Sequence, residues 1–273
     1  MVMTVNVIGA GRVGQTFLRL LAGCSGYDLQ DVASSRLASA ELAVAAAGSG
    51  RAVRQIADMR PADILFLTVP DTQIGAVAEE LANSIVTPAI AVHCSGFHTA
   101  DVMSALGPEW QLVSAHPNLS FADPDSAVAA FKGTPCGVEG DDEAALVIEA
   151  LLEDLGAQPF RIASENKVLY HAAAVFSNNF ATVLQAVARE AWDAAGVPKG
   201  VAKELNASLL KATAENVIRQ GPQDALTGPA ARGDTDVVAR QGQAVAEWNE
   251  HAGRVYRDLS EMAEQLKSKG STR

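Results

Sequence analysis

The chain is poor in cysteine: Cys24, Cys94 and Cys136 are its only three, odd in number and far apart. No C-x-x-C pair exists. A disulfide framework or metal site is therefore not expected, and a reducing, cytoplasmic setting fits best. Basic residues are also in short supply, with 21 Lys and Arg against 32 Asp and Glu and a net charge of −11. That balance argues against a nucleic acid or an anionic membrane as the main partner. It leaves room for an anionic small molecule in a locally basic pocket. The apolar stretches fall short of the roughly 18 residues that a membrane helix needs. The opening Met1-Val2-Met3-Thr4-Val5 lacks a basic region ahead of an apolar one, so no secretory leader is expected. Internal repeats and low-complexity linkers are missing too.

Apolar residues, by contrast, make up 48% of the 273. That is enough to build a core for one large domain or two modest ones. The first 160 or so residues alternate strand and helix patterns. Strands are expected at Thr4–Ile8, Leu29–Ala33, Asp63–Val69, Ala89–Cys94 and Leu112–Ala115, with helices at Arg12–Leu21, Ala38–Ala47, Thr72–Leu81 and Thr99–Leu106. Asp63–Val69 shows no polar alternation, as in a strand covered on both faces. Such alternation means an α/β fold with a doubly wound parallel sheet. A looser stretch adds strands at Pro135–Val138 and near Phe160, and a helix at Glu143–Leu155. After Ser164 the strands stop. Ser164 is read as the cap of an Ala-rich helix reaching Ala195. A second helix runs from Pro198 to about Arg219, and a last one from Thr235 to Leu266, ahead of a frayed tail. The division is thus residues 1–163, a Rossmann nucleotide-binding domain, and 164–273, an all-helical domain for substrate and dimerisation.

Gly9-Ala10-Gly11-Arg12-Val13-Gly14 follows the first strand and opens the first helix. In this context a G-x-G-x-x-G run cradles a pyrophosphate: Gly9 for the tight turn, Gly11 for close backbone approach, Gly14 for helix–strand packing. The N–H groups of the helix start receive the phosphates. An acid at the end of the second strand would bind the ribose hydroxyl of NAD. Here Ser34-Ser35-Arg36 stands there instead, a set suited to the 2′-phosphate of NADP, with Asp31 the competing candidate if the strand ends early.

Three further segments fall at strand ends, where ligands bind in this architecture. Val69-Pro70-Asp71 is expected beside the cofactor, His93-Cys94-Ser95-Gly96 and Ser114-Ala115-His116-Pro117 beside the substrate. His116 suits hydrogen bonding or proton exchange, whereas His93, inside a strand, reads as structural. On the helix after Ser164, Lys167, His171 and Asn178 fall at about 0°, 40° and 20° around the axis, a polar stripe among alanines. Arg232, in a Gly/Pro loop, could clamp a carboxylate or pair with Asp234, itself read as a helix cap.

These segments resemble the DUF2520 family, Rossmann-like proteins with a helical C-terminal domain of unknown function. The matching residues are Gly9–Gly14, His93–Gly96, Ala115–Pro117, Lys167 through Tyr170-His171 to Phe180, and Gly228–Asp234. The family is similar to pyrroline-5-carboxylate reductases, 6-phosphogluconate and β-hydroxyacid dehydrogenases, and ketopantoate reductases. The resemblance implies an NADP-dependent oxidoreductase acting on a small carbonyl, imine or hydroxy acid. In that reading Lys167 or His171 is the proton donor, and His116 and Ser95 hold the substrate. The alternatives are a catalytically silent NADP(H) binder and a pyrroline-5-carboxylate-type reductase. The chain departs from β-hydroxyacid dehydrogenases in carrying Lys167-x-x-x-His171 where they have Lys-x-x-x-Asn. Apolar residues on several faces of the long helices imply a homodimer built through the helical domain.

Overall fold

The computed structural model describes residues 2–84 and 87–273. Two compact units divide the chain, Met1–Ala174 and Val175–Arg273. In the first, β1 (Met3–Ile8), α1 (Arg12–Ala22), β2 (Tyr27–Ala33), α2 (Leu37–Ala47) and β3 (Arg51–Val53) are followed by β4 (Ile64–Leu67), α3 (Ile74–Ala82) and β5 (Ile90–His93). A 3-10 helix at Ala100–Leu106 leads to β6 (Gln111–Pro117), α4 (Pro124–Ala130), β7 (Pro135–Gly140), α5 (Asp142–Asp154), β8 (Gln158–Arg161) and α6 (Lys167–Val175). The sheet order is β3-β2-β1-β4-β5-β6-β7-β8. β4 is wholly buried because both faces of the sheet are covered, which is why its sequence is continuously apolar. Phe17 of α1 stacks on Phe66 with ring centres 5.0 Å apart and meets Phe131 edge-on at 5.7 Å.

β1 to β6 are parallel, but β7 pairs with β6 antiparallel, against the expectation of an all-parallel sheet. β7 starts where β6 ends, and the chain turns back along its neighbour. Asn118 N–H donates to Pro135 O at 2.9 Å there. This return sets His116 opposite Gly137 and Ser114 opposite Glu139.

α6 continues into a π-helical turn, Phe176–Phe180, before α7 (Ala181–Ala194). The wider turn changes the angular count, so the expected regular stripe from His171 to Asn178 is not maintained. Ser164 does not cap a helix; its hydroxyl donates to Glu139 at 2.7 Å. The second unit contains α7, α8 (Lys199–Ala225), α9 (Pro229–Arg232), α10 (Thr235–Trp248) and α11 (Glu250–Lys269). The expected single last helix is two, because Asn249 leaves helical geometry and caps α11 through Ala252 N at 3.1 Å. The last helix also runs on to Lys269, through the start of the expected frayed tail. Asp234 stands at the N-cap of α10 as expected, but its side chain makes no capping hydrogen bond and takes Arg232 at 2.8 Å instead. No helix of the described residues is long and apolar enough to cross a membrane.

Candidate active site

Ligand-accessible chemistry collects at the carboxyl edge of β1, β4, β5 and β6, neighbouring strands spaced about 4.8 Å apart. The glycine turn sits after β1. Gly9 has φ +113°, and a Cβ on it would lie 2.6 Å from Thr68 O, so backbone and space both require glycine. A Cβ on Gly14 would overlap the Gly9 carbonyl, whereas one on Gly11 would meet nothing within 4 Å. α1 starts with no capping side chain and no acid in its first turn. Its leading N–H groups, at Arg12, Val13 and Gly14, are therefore suited to an anion. These features fit a dinucleotide pyrophosphate. Ala10 is buried under the turn. Gly9 N–H donates to Ala33 O at 2.8 Å, which seats the turn beside the end of β2.

Ser34, Ser35 and Arg36 follow that strand end; Ser35 and Arg36 are exposed. Among the described residues Arg36 has no ion pair. Asp31 is excluded as the ribose ligand. β2 runs on to Ala33, and the Asp31 carboxylate is fully buried between Arg51 at 2.9 Å and Arg60 at 2.8 Å. Burial alone would raise its pKa; the two guanidiniums reverse this and hold it below the usual carboxylate range.

A chain of contacts runs from the turn along the sheet edge. Thr68 Oγ1 donates to Gly9 O at 2.8 Å. Val69 and Pro70 lead on to Asp71, whose carboxylate accepts the Ser95 hydroxyl at 2.7 Å. Ser95 Oγ in turn accepts from the N–H groups of Phe97 at 3.1 Å and His98 at 3.0 Å. Ser95 Oγ is thus tied both to its own loop and to Asp71 in the loop after β4. His93 is buried behind it: Nδ1 accepts from Ser95 N–H and Nε2 bonds Thr99 O, both at 3.1 Å. Its pKa is pushed down to about 4 by burial, which agrees with the structural role expected for it. Burial also raises the Cys94 and Cys136 thiols, the latter to about 12, so neither is a nucleophile at neutral pH.

Gly96 is where the histidines meet. A Cβ there would lie 2.5 Å from His171 Cδ2 and 2.8 Å from His116 Nε2. Glycine is required by the close approach of two imidazoles, whose ring centres stand 5.7 Å apart at 80°. His116 Nδ1 lies 3.0 Å from the Tyr170 hydroxyl, which also receives Asn118 Nδ2 at 2.5 Å. Burial foremost, then the charges of His171 and Lys167, lower the His116 pKa to about 4.

Lys167 enters from α6, one turn before His171, and is fully buried. Its ammonium donates to Ser114 Oγ and pairs with Glu139 Oε1 at 3.1 Å. Glu139 Oε1 also accepts Ala100 N–H at 2.9 Å, and Oε2 accepts Ser164. Desolvation lowers the Lys167 pKa against the opposing pull of Glu139. Glu139 and Asn118 are the site residues that sequence reasoning did not select, and Ser114 and Tyr170 were noted only within their segments. One usable signal was an acid inside the Gly137-Val138-Glu139-Gly140 strand. Lys167, His171, His116 and Ser95 converge in the first unit. Asn178, in the π-helical turn, and Arg232, paired with Asp234, belong to the second.

Residues 1–116 match the model of the Rossmann-like domain, and residues 134–263 match that of DUF2520, a domain of unknown function. The two matches follow one another along the chain, the Rossmann-like one first. Among solved structures, protein TM1727 from Thermotoga maritima is 26% identical with a TM-score of 0.79, covering 97% of this chain and 99% of its own. Protein BF3122 from Bacteroides fragilis, described provisionally as an NADP oxidoreductase, is 23% identical with a TM-score of 0.76, covering 97% and 98%. Pyrroline carboxylate reductase of Plasmodium falciparum, with NADP bound, is 12% identical with a TM-score of 0.56, again covering 97% and 98%. The fold is therefore shared with oxidoreductases. No curated protein matches the sequence.

Proposed function

We propose that this protein is an NADP-dependent oxidoreductase acting on a small carbonyl, imine or hydroxy acid. The observation that carries this reading is the meeting of His116 and His171 on Gly96, on the sheet edge that also carries the glycine turn. The cofactor, when bound, donates or accepts the hydride. The chain's own groups do the rest. The first-turn N–H groups of α1 hold the pyrophosphate. Ser34, Ser35 and Arg36 bind the 2′-phosphate. Asp71 and Ser95 fasten the loop that carries Gly96. His116, neutral at physiological pH, orients the substrate by hydrogen bonding. His171, whose ring nitrogens have no protein partner among the described residues, exchanges the proton. Lys167 acts through its charge and as an anchor for α6, because its amine is enclosed by Ser114 and Glu139. The test follows NADPH absorbance across oxo acids, imines and hydroxy acids. His171→Ala should lower kcat by ~10²–10⁴-fold with NADPH affinity nearly unchanged. No turnover on any class, or wild-type kcat in the variant, overturns the reading.

The helical unit supports a homodimer as part of the same proposal. Among its described residues only Ala202, Ala252 and Gly253 are buried, while Phe176, Val183, Leu209 and Ile218 are more than half exposed. A groove of about 660 Å³ between α10 and α11 is lined by small residues such as Gly242, Ala246 and Gly253. A second copy presenting the same apolar helices would supply the missing core. Light scattering at micromolar concentration should give twice the 28.4 kDa chain mass; a monomer there removes the dimer from the proposal.

A further inference from the structure

The hydrogen bonds around Tyr170 have a direction that can be worked out atom by atom. Asn118 Nδ2 faces two oxygens, Pro135 O at 3.2 Å and Tyr170 Oη at 2.5 Å. A peptide carbonyl can only accept, so the amide atom facing it must be the nitrogen, and the side chain is oriented without ambiguity. The Tyr170 oxygen therefore accepts from Asn118. It packs against the Gly137 backbone so tightly that a Cβ on Gly137 would lie 2.7 Å away. The phenol's own hydrogen then needs an acceptor, and among the described residues His116 Nδ1 is the one within reach. Burial raises its pKa, so the phenol keeps its proton, and His116 Nδ1 at 3.0 Å stands ready to accept it.

We propose that Tyr170, oriented by Asn118, is a positioning residue that fixes His116 in the tautomer protonated on Nε2, so that His116 serves as a neutral hydrogen-bond donor to the substrate oxygen. The part concerning the substrate rests on the oxidoreductase reading given above. Nδ1 accepts from the phenol and carries no hydrogen; a neutral imidazole must then carry its one hydrogen on Nε2. That nitrogen is the one directed over Gly96, 2.8 Å from where a Cβ would stand, and it has no protein acceptor among the described residues. A donor so placed stabilises negative charge developing on a carbonyl oxygen without giving up its proton. Proton exchange is thereby left to His171, whose ring stands 5.7 Å away and nearly perpendicular. The device is built from the antiparallel return of β7. Gly137, opposite His116 in register, leaves room for the phenol, and the start of β7 supplies the carbonyl of Pro135 that orients Asn118.

The tautomer can be read by two-bond ¹H–¹⁵N correlation spectra of the full chain with its histidines labelled, no substrate being needed. The His116 signals are assigned by their loss in His116→Asn. In the wild type, Nδ1 should resonate as unprotonated and Nε2 as protonated across pH 6 to 8. Tyr170→Phe should release the lock and give a mixture of tautomers, with kcat lowered about two- to tenfold, the value of one neutral hydrogen bond, and KM little changed. Asn118→Asp should invert the pattern, since the carboxylate takes the phenol proton and His116 must then donate from Nδ1. A protonated Nδ1 in the wild type overturns the proposal, as does an Asn118→Asp spectrum identical to the wild type in the folded protein. If either variant fails to fold, the wild-type spectrum alone decides. Failure of the oxidoreductase reading would show separately, as absent NADPH oxidation alongside the expected tautomer.

Discussion

Replacing Lys167 by Met tests whether the buried ion pair anchors α6. The substitution keeps most of the side-chain volume and removes the charge. Glu139, 3% exposed, would keep the Ala100 N–H and the Ser164 hydroxyl but lose the one cation it pairs with among the described residues. Removing one partner of a buried pair costs about 3–5 kcal/mol, because the remaining charge is left uncompensated. For a unit of 174 residues, each kcal/mol moves Tm by roughly 2–4 °C, so Tm should fall by about 6–20 °C. Pairing Lys167→Met with Glu139→Gln removes the stranded charge. The amide oxygen still accepts from Ala100, and the amide nitrogen can meet Ser164. The double variant should regain most of the loss, to within about 1–2 kcal/mol of the wild type. Urea denaturation and calorimetry measure both. A single-variant loss under about 1 kcal/mol, or a double variant as unstable as the sum of its parts, would refute the buried pair as the anchor. The result also decides how mutant kinetics are read: a fall in kcat for Lys167→Met confounds anchoring with chemistry, whereas His171 carries no such anchor.

NADPH should bind more tightly than NADH, and Arg36→Ala should weaken NADPH by about 10- to 150-fold, the value of a hydrogen bond to a charged group, with NADH unaffected; calorimetric titration showing equal affinities removes the 2′-phosphate assignment. Acid should unfold the first unit early. His93 and His116 titrate near 4 when folded against 6.5 when unfolded, so the unfolded chain takes up protons first as the pH falls. Their contribution is fully present above about pH 6.5 and is lost down to about pH 4, on the order of 3 kcal/mol between pH 7 and 5 for the two together. A urea midpoint flat across that window would show that these imidazoles are not held neutral.

Sequence carried the parts of the fold that local physics determines. Asp63–Val69 reads as a buried strand because it shows no polar alternation, and Ile64–Leu67 within it forms β4. The glycine turn reads as a phosphate cradle because three glycines fall where a strand passes into a helix, and Gly9 does take the positive φ of a tight turn. β3 escaped, since Arg51-Ala52-Val53 is too short for any periodicity to register. Asn249 was read as an ordinary helical residue, although Asn is a strong capping residue and its side chain does cap α11. The count of 100° per residue failed past Val175 for a different reason. It presumes an α-helix, and nothing in Phe176-Ser177-Asn178-Asn179-Phe180 announces a π-helical turn.

The candidate site divides along the same line. Each strand-end polar residue was visible singly, because ligands gather at the carboxyl edge of a parallel sheet whatever the chemistry. What joins them was not visible, since it depends on the direction of β7. A strand of the composition Pro135–Gly140 can add to the sheet edge either way. Only the antiparallel choice brings Glu139 beside Ser114 and beneath Lys167, and Gly137 beneath Tyr170. The chain turns back beside Pro117, where Asn118 N–H donates to Pro135 O, and β7 runs antiparallel from there. The ion pair that buries Lys167 and the phenol that orients His116 are therefore both consequences of that one return.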